Sequence, residues 1–543
     1  MSEMTGGQAV VATLQSEGVD IVFGIPGTYN LHVYDALHTT ASIRHILARH
    51  EGGAAMMADG YGRASGKPGV CLTIAGPGAT NALTGLVTAH AESSPVLMVT
   101  TEIGKHLIGL DKGVSHEIKG QLDIFRAALV SAMRADTVSA IPHTIHQAMA
   151  TMCCDRPRPT YVEIPYDVLG ARGDAEPGSP LPAEKPAGNP ATIEAAARLL
   201  EQAERPLIFS GLGTLRSGAS AELRQVAEAL QCAVITTANG KGSLPEDHPL
   251  ALGAGVGRNP VLTDALAEAD VVLAVGTSFD GWSMQGWTLK IPGRIIRIDI
   301  AAEQLNKNYP AALAIHGDAK LSLMHLAVAL SPRPQGNDRY VRELKASADA
   351  ARSAVEARGD AGPIVVRQLR EALPRNAIIT VDLTLVLQWI VWNFEIYEPN
   401  TLLLPWNSGT LGFALPAALG AQAAWPERAV VALAGDGGFL FTGQELATAA
   451  QHNLPVVTIV FNNRAHGSIK KQQLSGYGGR YLGVDLDGPD FAAFAQALGV
   501  RGKRVTVLET LGDHVREALE DGGPVLLEVT LELDAMDGPW MML

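Results

Sequence analysis

Aromatic residues make up only 5% of the 543 residues, and only four residues are cysteine. Cys71, Cys153, Cys154 and Cys232 lack metal-ligand spacing, and an adjacent pair is a poor disulfide, so no zinc module or disulfide scaffold is expected. A reducing, cytoplasmic setting fits that usage. No run of about 18 apolar residues occurs, which excludes a helical membrane span. The opening MSEMTGGQAV has no basic segment followed by an apolar one, so no secretory signal is expected. Positive charge is also short. Lys and Arg number 42 against 56 Asp and Glu, a net charge of −14, and the pI is near 5.5. That balance argues against a surface for nucleic acid. The length exceeds what one hydrophobic core organises, and about three domains are expected.

Glycine, by contrast, is plentiful, and its most informative cluster lies in the stretch from Ala432 to Asn463. Ala429 to Ala434 is an aliphatic run that reads as a buried strand. Gly435-Asp436-Gly437-Gly438 breaks it with a turn that leaves backbone open to a ligand. Phe439 to His452 has the length of a helix, Asn453-Leu454-Pro455 ends it, and Val456 to Phe461 is a second strand closed by Asn462-Asn463. A β-α-β unit places both strands parallel, with their carboxyl ends on one sheet edge. Neighbouring strands lie about 5 Å apart, so Asp436 and Asn463 can reach one small cation. Their hard oxygens suit Mg2+, and the helix start behind Gly437-Gly438 suits phosphate.

Gly-Asp-Gly, then a helix and a strand, then Asn-Asn resembles the signature of thiamine diphosphate (ThDP)-dependent enzymes. The resemblance implies that Asp436, Asn463 and the carbonyl of Ala465 hold Mg2+. The residues Gly435, Gly437, Gly438 and Gly467 would then lie against the cofactor.

The rest of the chain carries the same resemblance. Residues 1–170 alternate short aliphatic strands with helices, the pattern of a parallel α/β sheet. Strands are expected at Ile21–Phe23, Ile46–Ala48, Val70–Ile74 and Val96–Thr100, with a small-residue helix over 52–61. Glu51 stands where a buried strand meets that helix, so its carboxylate is partly desolvated. Arg-His-Glu, Ala-Asp-Gly-Tyr-Gly-Arg and Gly-Pro-Gly-Ala-Thr-Asn together resemble the pyrimidine-binding domain of the family. There the glutamate bonds N1′ of the aminopyrimidine, and Glu51 matches it. In the loop between Lys105 and Arg126, His116-Glu117 stands where acetolactate synthases and pyruvate oxidases carry Phe-Gln. The resemblance places that pair, as candidate catalytic groups, beside the reacting centre.

A Pro- and Gly-rich stretch from Asp167 to Pro190 reads as a linker into a central Rossmann-like domain, 191–335. Gly211-Leu212-Gly213 there is an incomplete dinucleotide fingerprint, because Arg216 replaces the third glycine. FAD or ADP occupies this domain in some relatives, so FAD is kept as an alternative. A second linker, Ser331 to Asp338, leads to a diphosphate-binding domain over 360–532. Its first strand, Ile378–Val381, ends at Asp382-Leu383-Thr384, where the resemblance puts Thr384 against the diphosphate. Gly409 and Leu411 match a carbonyl that accepts from the 4′-amino group and an apolar prop that bends the cofactor. His466, just past the metal ligands, is a further candidate on the substrate side.

The expected fold is α/β, three doubly wound parallel-sheet domains. The implied activity is ThDP- and Mg2+-dependent cleavage of a 2-oxo acid through a ylide and an enamine, most like the acetolactate-synthase branch. The product would be an aldehyde, or a ligation product with an aldehyde or second 2-oxo acid. Alternatives are an FAD-containing synthase or oxidase of the same family, and a simple decarboxylase of an amino-acid-derived acid such as 5-guanidino-2-oxopentanoate. A homodimer or homotetramer is implied, because relatives hold the cofactor between subunits.

Overall fold

The computed structural model describes residues 2–291, 293–333 and 339–536. Three six-stranded sheets, every pairing parallel, follow one another along the chain. The first runs Arg44–Leu47, Ile21–Gly24, Gly69–Leu72, Val96–Glu102, Thr160–Pro165 and Ser131–Arg134 in spatial order. The second runs Ala251–Ala254, Ala233–Thr236, Pro206–Ser210, Val271–Val275, Arg294–Asp299 and Leu313–His316. The third runs Leu402–Leu403, Ile378–Val381, Val430–Gly435, Val456–Asn462, Val525–Thr530 and Arg501–Val505. This is the α/β architecture with three doubly wound sheets that the alternation of apolar runs implied. The central strands are buried along their whole length, as parallel strands covered by helices on both faces must be.

The first and third units share one core. Helix Glu51–Ser65, buried from Gly52 to Ala64, lies against helix Ala414–Ala424. Both helices are rich in Gly and Ala, which lets their backbones touch: a Cβ at Gly60 would meet the Ala417 backbone, and one at Gly420 the Met57 carbonyl. One apolar cluster therefore runs from Phe23 through Met57 and Leu419 to Val460. The central unit has a core of its own. The buried Arg63–Asp59 pair, 2.6 Å apart, reinforces the joint, and Arg63 also donates to the Leu404 carbonyl at 2.7 Å.

Several expectations are corrected. Phe439 to His452 is not one helix: a turn of helix at Asp436–Phe439, a 3₁₀ turn at Gly443–Glu445 and helix Leu446–His452 replace it. The break falls at Thr442, whose extended φ of −140° no helix contains. The linker read from Asp167 begins later, because Tyr166–Gly170 is helical and Arg172–Ala175 pairs antiparallel with Ser2–Thr5. Of the second linker, residues 334–338 lie outside the described residues. The cysteines are free; Cys71 and Cys232 are buried. Among the described residues no helix is long and apolar enough to cross a membrane.

Candidate active site

In the third sheet the strand order reverses between Ile378–Val381 and Val430–Gly435, and ligands of doubly wound sheets bind past the carboxyl ends at such a point. The residues beyond these ends are Asp382-Leu383-Thr384 and Asp436-Gly437-Gly438, with Gly435 the last of its strand. Strand Val456–Asn462 pairs with Val430–Gly435 in a register that sets Gly435 opposite Phe461, which brings Asn463 to the same edge. A cavity of about 400 Å³ opens there. Its walls include Thr384, Gly409, Leu411, Gly435, Asp436, Gly437, Gly438, Asn463, Ala465 and Gly467.

The cradle depends on residues without side chains. A Cβ on Gly437 would stand 2.6 Å from His466 Nδ1, and one on Gly438 would strike the Asp382 carboxylate. A Cβ on Gly435 would come within 2.9 Å of Thr384 Oγ1. Asp436 is 4% exposed and accepts from the Gly437 and Ala465 amides at 2.9 and 3.1 Å. Burial pushes its carboxyl above the usual aspartate range, against those two bonds. Asn463 Oδ1 accepts from the same Ala465 amide at 3.2 Å, so both oxygens converge on one point of backbone. No cluster of three or more His, Cys, Asp or Glu side chains suited to a metal occurs among the described residues. A cation here would thus be held by one carboxylate, an amide oxygen and a carbonyl, with room for oxygens from its ligand. That donor set fits Mg2+, which retains water or phosphate oxygens rather than filling its shell from protein.

Three family descriptions match the chain, one within each unit: "Thiamine pyrophosphate enzyme, N-terminal TPP binding domain" over residues 4–126, "central domain" over 193–326, and "C-terminal TPP binding domain" over 385–529. The chain belongs to the thiamine pyrophosphate enzymes. It is 36% identical to the "Probable acetolactate synthase large subunit" of Methanocaldococcus jannaschii, over 97% of this chain and 92% of that protein. It is 37% identical to the "Probable 2-ketoarginine decarboxylase AruI" of Pseudomonas aeruginosa, over 97% and 94%. To the "Acetolactate synthase isozyme 2 large subunit" of Escherichia coli K12 it is 32% identical, over 99% and 97%.

The remaining predicted site residues lie in the first unit. Glu51, His116 and Glu117 are absent from the cavity wall among the described residues. Glu51 and the His116 backbone lie instead at the start of helix Pro77–Ala91. Asn81 Nδ2 donates to Glu51 Oε2 at 3.0 Å, and a Cβ on Gly78 would stand 3.4 Å from Glu51 Oε1. Gly76, at φ +63°, abuts the His116 carbonyl, and its amide donates to Gln121 Oε1 at 2.7 Å. His116 itself has φ +66° and sets its ring edge-on to Tyr29, centroids 5.1 Å apart. The Glu117 carboxylate is engaged by its own loop, accepting from the Gly113 and Val114 amides at 2.8 and 3.0 Å. Those backbone bonds, Val114 first, hold its carboxyl below the usual range.

The central unit contributes Arg258 and Trp282 to the cavity, beside Trp392 and Trp406. In its own first strand-to-helix turn, Gly213 packs on the Gly276 backbone, and half-buried Arg216 donates to the Ser93 and Glu92 carbonyls at 2.9 and 3.4 Å. A smaller pocket borders this turn, lined by Arg156, Lys185, Arg216, Thr277 and Asp299 among others.

Sequence reasoning missed three buried acids that hold this site together. Asp382 accepts from the Gly412 and Phe413 amides at 3.0 and 3.2 Å, and burial pushes its carboxyl up to about 6. Glu445 accepts from the Arg49 and His50 amides, the backbone immediately before Glu51, at 3.0 Å each. Glu92 receives the loop at 407–408. The available signal was a lone acid inside an otherwise apolar or small-residue segment, which marks a buried charge without naming its partner.

Proposed function

We propose that this chain cleaves a 2-oxo acid beside its carbonyl with ThDP and Mg2+, and then either releases an aldehyde or joins the fragment to a second carbonyl compound. The observation that carries this reading is the single cavity that gathers the glycine turn 435–438, Asp436, Asn463, Ala465, Thr384, Gly409 and Leu411. When bound, ThDP supplies a carbon nucleophile and an electron sink. Asp436, Asn463 and the Ala465 carbonyl would hold Mg2+, and the open backbone of 435–438 with Thr384 would receive the diphosphate. Leu411 would support the bend of the cofactor, and the Gly409 carbonyl would accept from its 4′-amino group. Glu51 would hold a proton at N1′, with one oxygen fixed by Asn81.

In one copy, Glu51 lies apart from the cavity that holds Asp436, so a second copy would bring its own Glu51 to complete the site. A homodimer is the minimum this requires, and a homotetramer satisfies it twice; sizing by light scattering checks it. The limits 1–170, 191–335 and 360–532 for the three units, and a cytoplasmic setting, belong to the same reading. His116 would face the substrate, while Glu117, bound to its own backbone, would shape the loop that presents it. A donor larger or more polar than pyruvate is favoured by His116-Glu117 and by the relative named for 2-ketoarginine. The FAD-containing alternative is less favoured because Arg216 stands where the third glycine of the dinucleotide fingerprint would be. The test is a panel of 2-oxo acids, pyruvate and 5-guanidino-2-oxopentanoate among them, assayed for CO2 release with and without added aldehyde. Release that needs both ThDP and Mg2+ supports the reading, and release from none of them counts against it; flavin absorbance in the purified protein would favour the FAD-containing alternative.

A further inference from the structure

We infer that Glu92 is a positioning residue: it holds the cofactor-facing loop 407–411 from a junction where all three units of the chain meet. The inference rests on the role proposed above for Gly409 and Leu411. Glu92 caps the carboxyl end of helix Pro77–Ala91, the helix whose other end touches Glu51 through Asn81. It is 0% exposed. Its Oε1 accepts from the Asn407 and Ser408 amides at 2.5 and 3.1 Å. Its Oε2 accepts from Asn239 Nδ2 of the central unit at 2.6 Å and from Asn407 Nδ2 at 3.1 Å. Arg216, also from the central unit, clamps the carbonyls of Glu92 and Ser93. Thr88, one helical turn earlier, makes a second tie to the loop, Oγ1 to Thr410 Oγ1 at 2.7 Å.

The loop needs such ties because regular structure does not fix it. Gly409 and Gly412 have φ of +66° and +78°, so neither helix nor strand can run through them. Asp382 secures the far end, at Gly412 and Phe413, and Glu92 secures the near end. Gly409 and Leu411 hang between two buried carboxylates. Bonds from amides to a carboxylate are stronger than those to a neutral oxygen, and a buried amide that loses its acceptor re-seats toward water. Loss of Glu92 should therefore move Gly409 and Leu411 while leaving the Asp436 anchor untouched.

Two variants separate this from simple scaffolding. Glu92→Ala removes every acceptor. Glu92→Gln keeps an oxygen for the Asn407 and Ser408 amides, and the side-chain amides of Asn239 and Asn407 can turn to meet its new donor. In the unloaded protein, amide exchange over residues 405–413 should speed up in Glu92→Ala and match wild type in Glu92→Gln. With saturating ThDP and Mg2+, exchange of the cofactor C2 proton should slow at least about tenfold in Glu92→Ala, since a misplacement of about 1 Å costs up to about 10²-fold. Glu92→Gln should restore most of that rate, and calorimetric ThDP affinity should change little in either variant. Wild-type exchange in Glu92→Ala, or a Glu92→Gln as impaired as the alanine variant, would overturn the inference. Should Glu92→Ala fail to fold, Glu92→Asp takes its place, since its shorter side chain draws the acceptors back from the Asn407 and Ser408 amides: faster amide exchange over 405–413 with slower C2 exchange supports the inference, and wild-type behaviour in both overturns it. A wild-type chain that binds no ThDP would refute the proposed function instead, and amide exchange over 405–413 would still decide whether Glu92 holds the loop.

Discussion

Replacing Glu445 by glutamine should remove a measurable part of the pH dependence of folding. Glu445 is 0% exposed, wedged between the Gly53 backbone and helix Leu446–His452. Burial pushes its carboxyl from an ordinary value of 4.5 up to about 6, although Thr448 and the Arg49 and His50 amides pull the other way. The folded chain thus holds this proton more tightly than the unfolded chain. The stability it contributes is complete below about pH 4.5 and is lost as the pH rises through about 6. A shift of that size is worth about 2 kcal/mol, at about 1.4 kcal/mol per unit. Glutamine has the same shape and keeps an oxygen for the Arg49 and His50 amides, and the Thr448 hydroxyl can turn to accept from its NH2. Denaturant midpoints of both proteins from about pH 4 to about pH 7 would give the answer. Other buried acids, Asp382 and Glu102 among them, titrate in both proteins and cancel in the difference. Wild type should lose about 2 kcal/mol relative to the variant across that range. Parallel curves would show that Glu445 is not titrating between the two units and would refute the argument.

Two further outcomes follow from the cradle and the proton site. Glu51→Gln should still bind ThDP, since Asp436 and Asn463 are intact, but should slow C2 proton exchange by about 10²- to 10⁴-fold; magnetic resonance after quenching measures it. Gly438→Ala should cut ThDP affinity by more than about tenfold and cost about 1–3 kcal/mol of stability, because its Cβ meets the buried Asp382 carboxylate; calorimetry and thermal melts read the two effects.

Much of the site could be read in advance because its logic is local. Gly435 to Gly438 interrupts an aliphatic strand, and Asn462-Asn463 ends its neighbour, so the β-α-β geometry alone brings Asp436 and Asn463 to one edge. The strands at Pro206–Ser210 and Ile378–Val381 fall where the apolar runs lie. The helix between the cradle strands was read too simply, since apolar spacing is blind to the turn at Thr442 and Gly443. Glu92, Asp382 and Glu445 were missed for a different reason. Their partners stand tens to hundreds of residues away, at Asn407, Gly412 and Arg49, and no periodicity reports on contacts so distant in sequence. Glu117 shows the converse: its type suggested substrate chemistry, while its bonds tie it to Gly113 and Val114.

The central claim is that Asp436 and its neighbours anchor the diphosphate through Mg2+. Calorimetric titration of ThDP into wild type and into Asp436→Ala, each with and without Mg2+, tests it most directly. Wild type should bind ThDP tightly only when Mg2+ is present, and the variant, its fold confirmed by circular dichroism, should show no tight binding under either condition. Equal affinity in the two proteins, or binding to wild type that ignores Mg2+, would contradict the assignment.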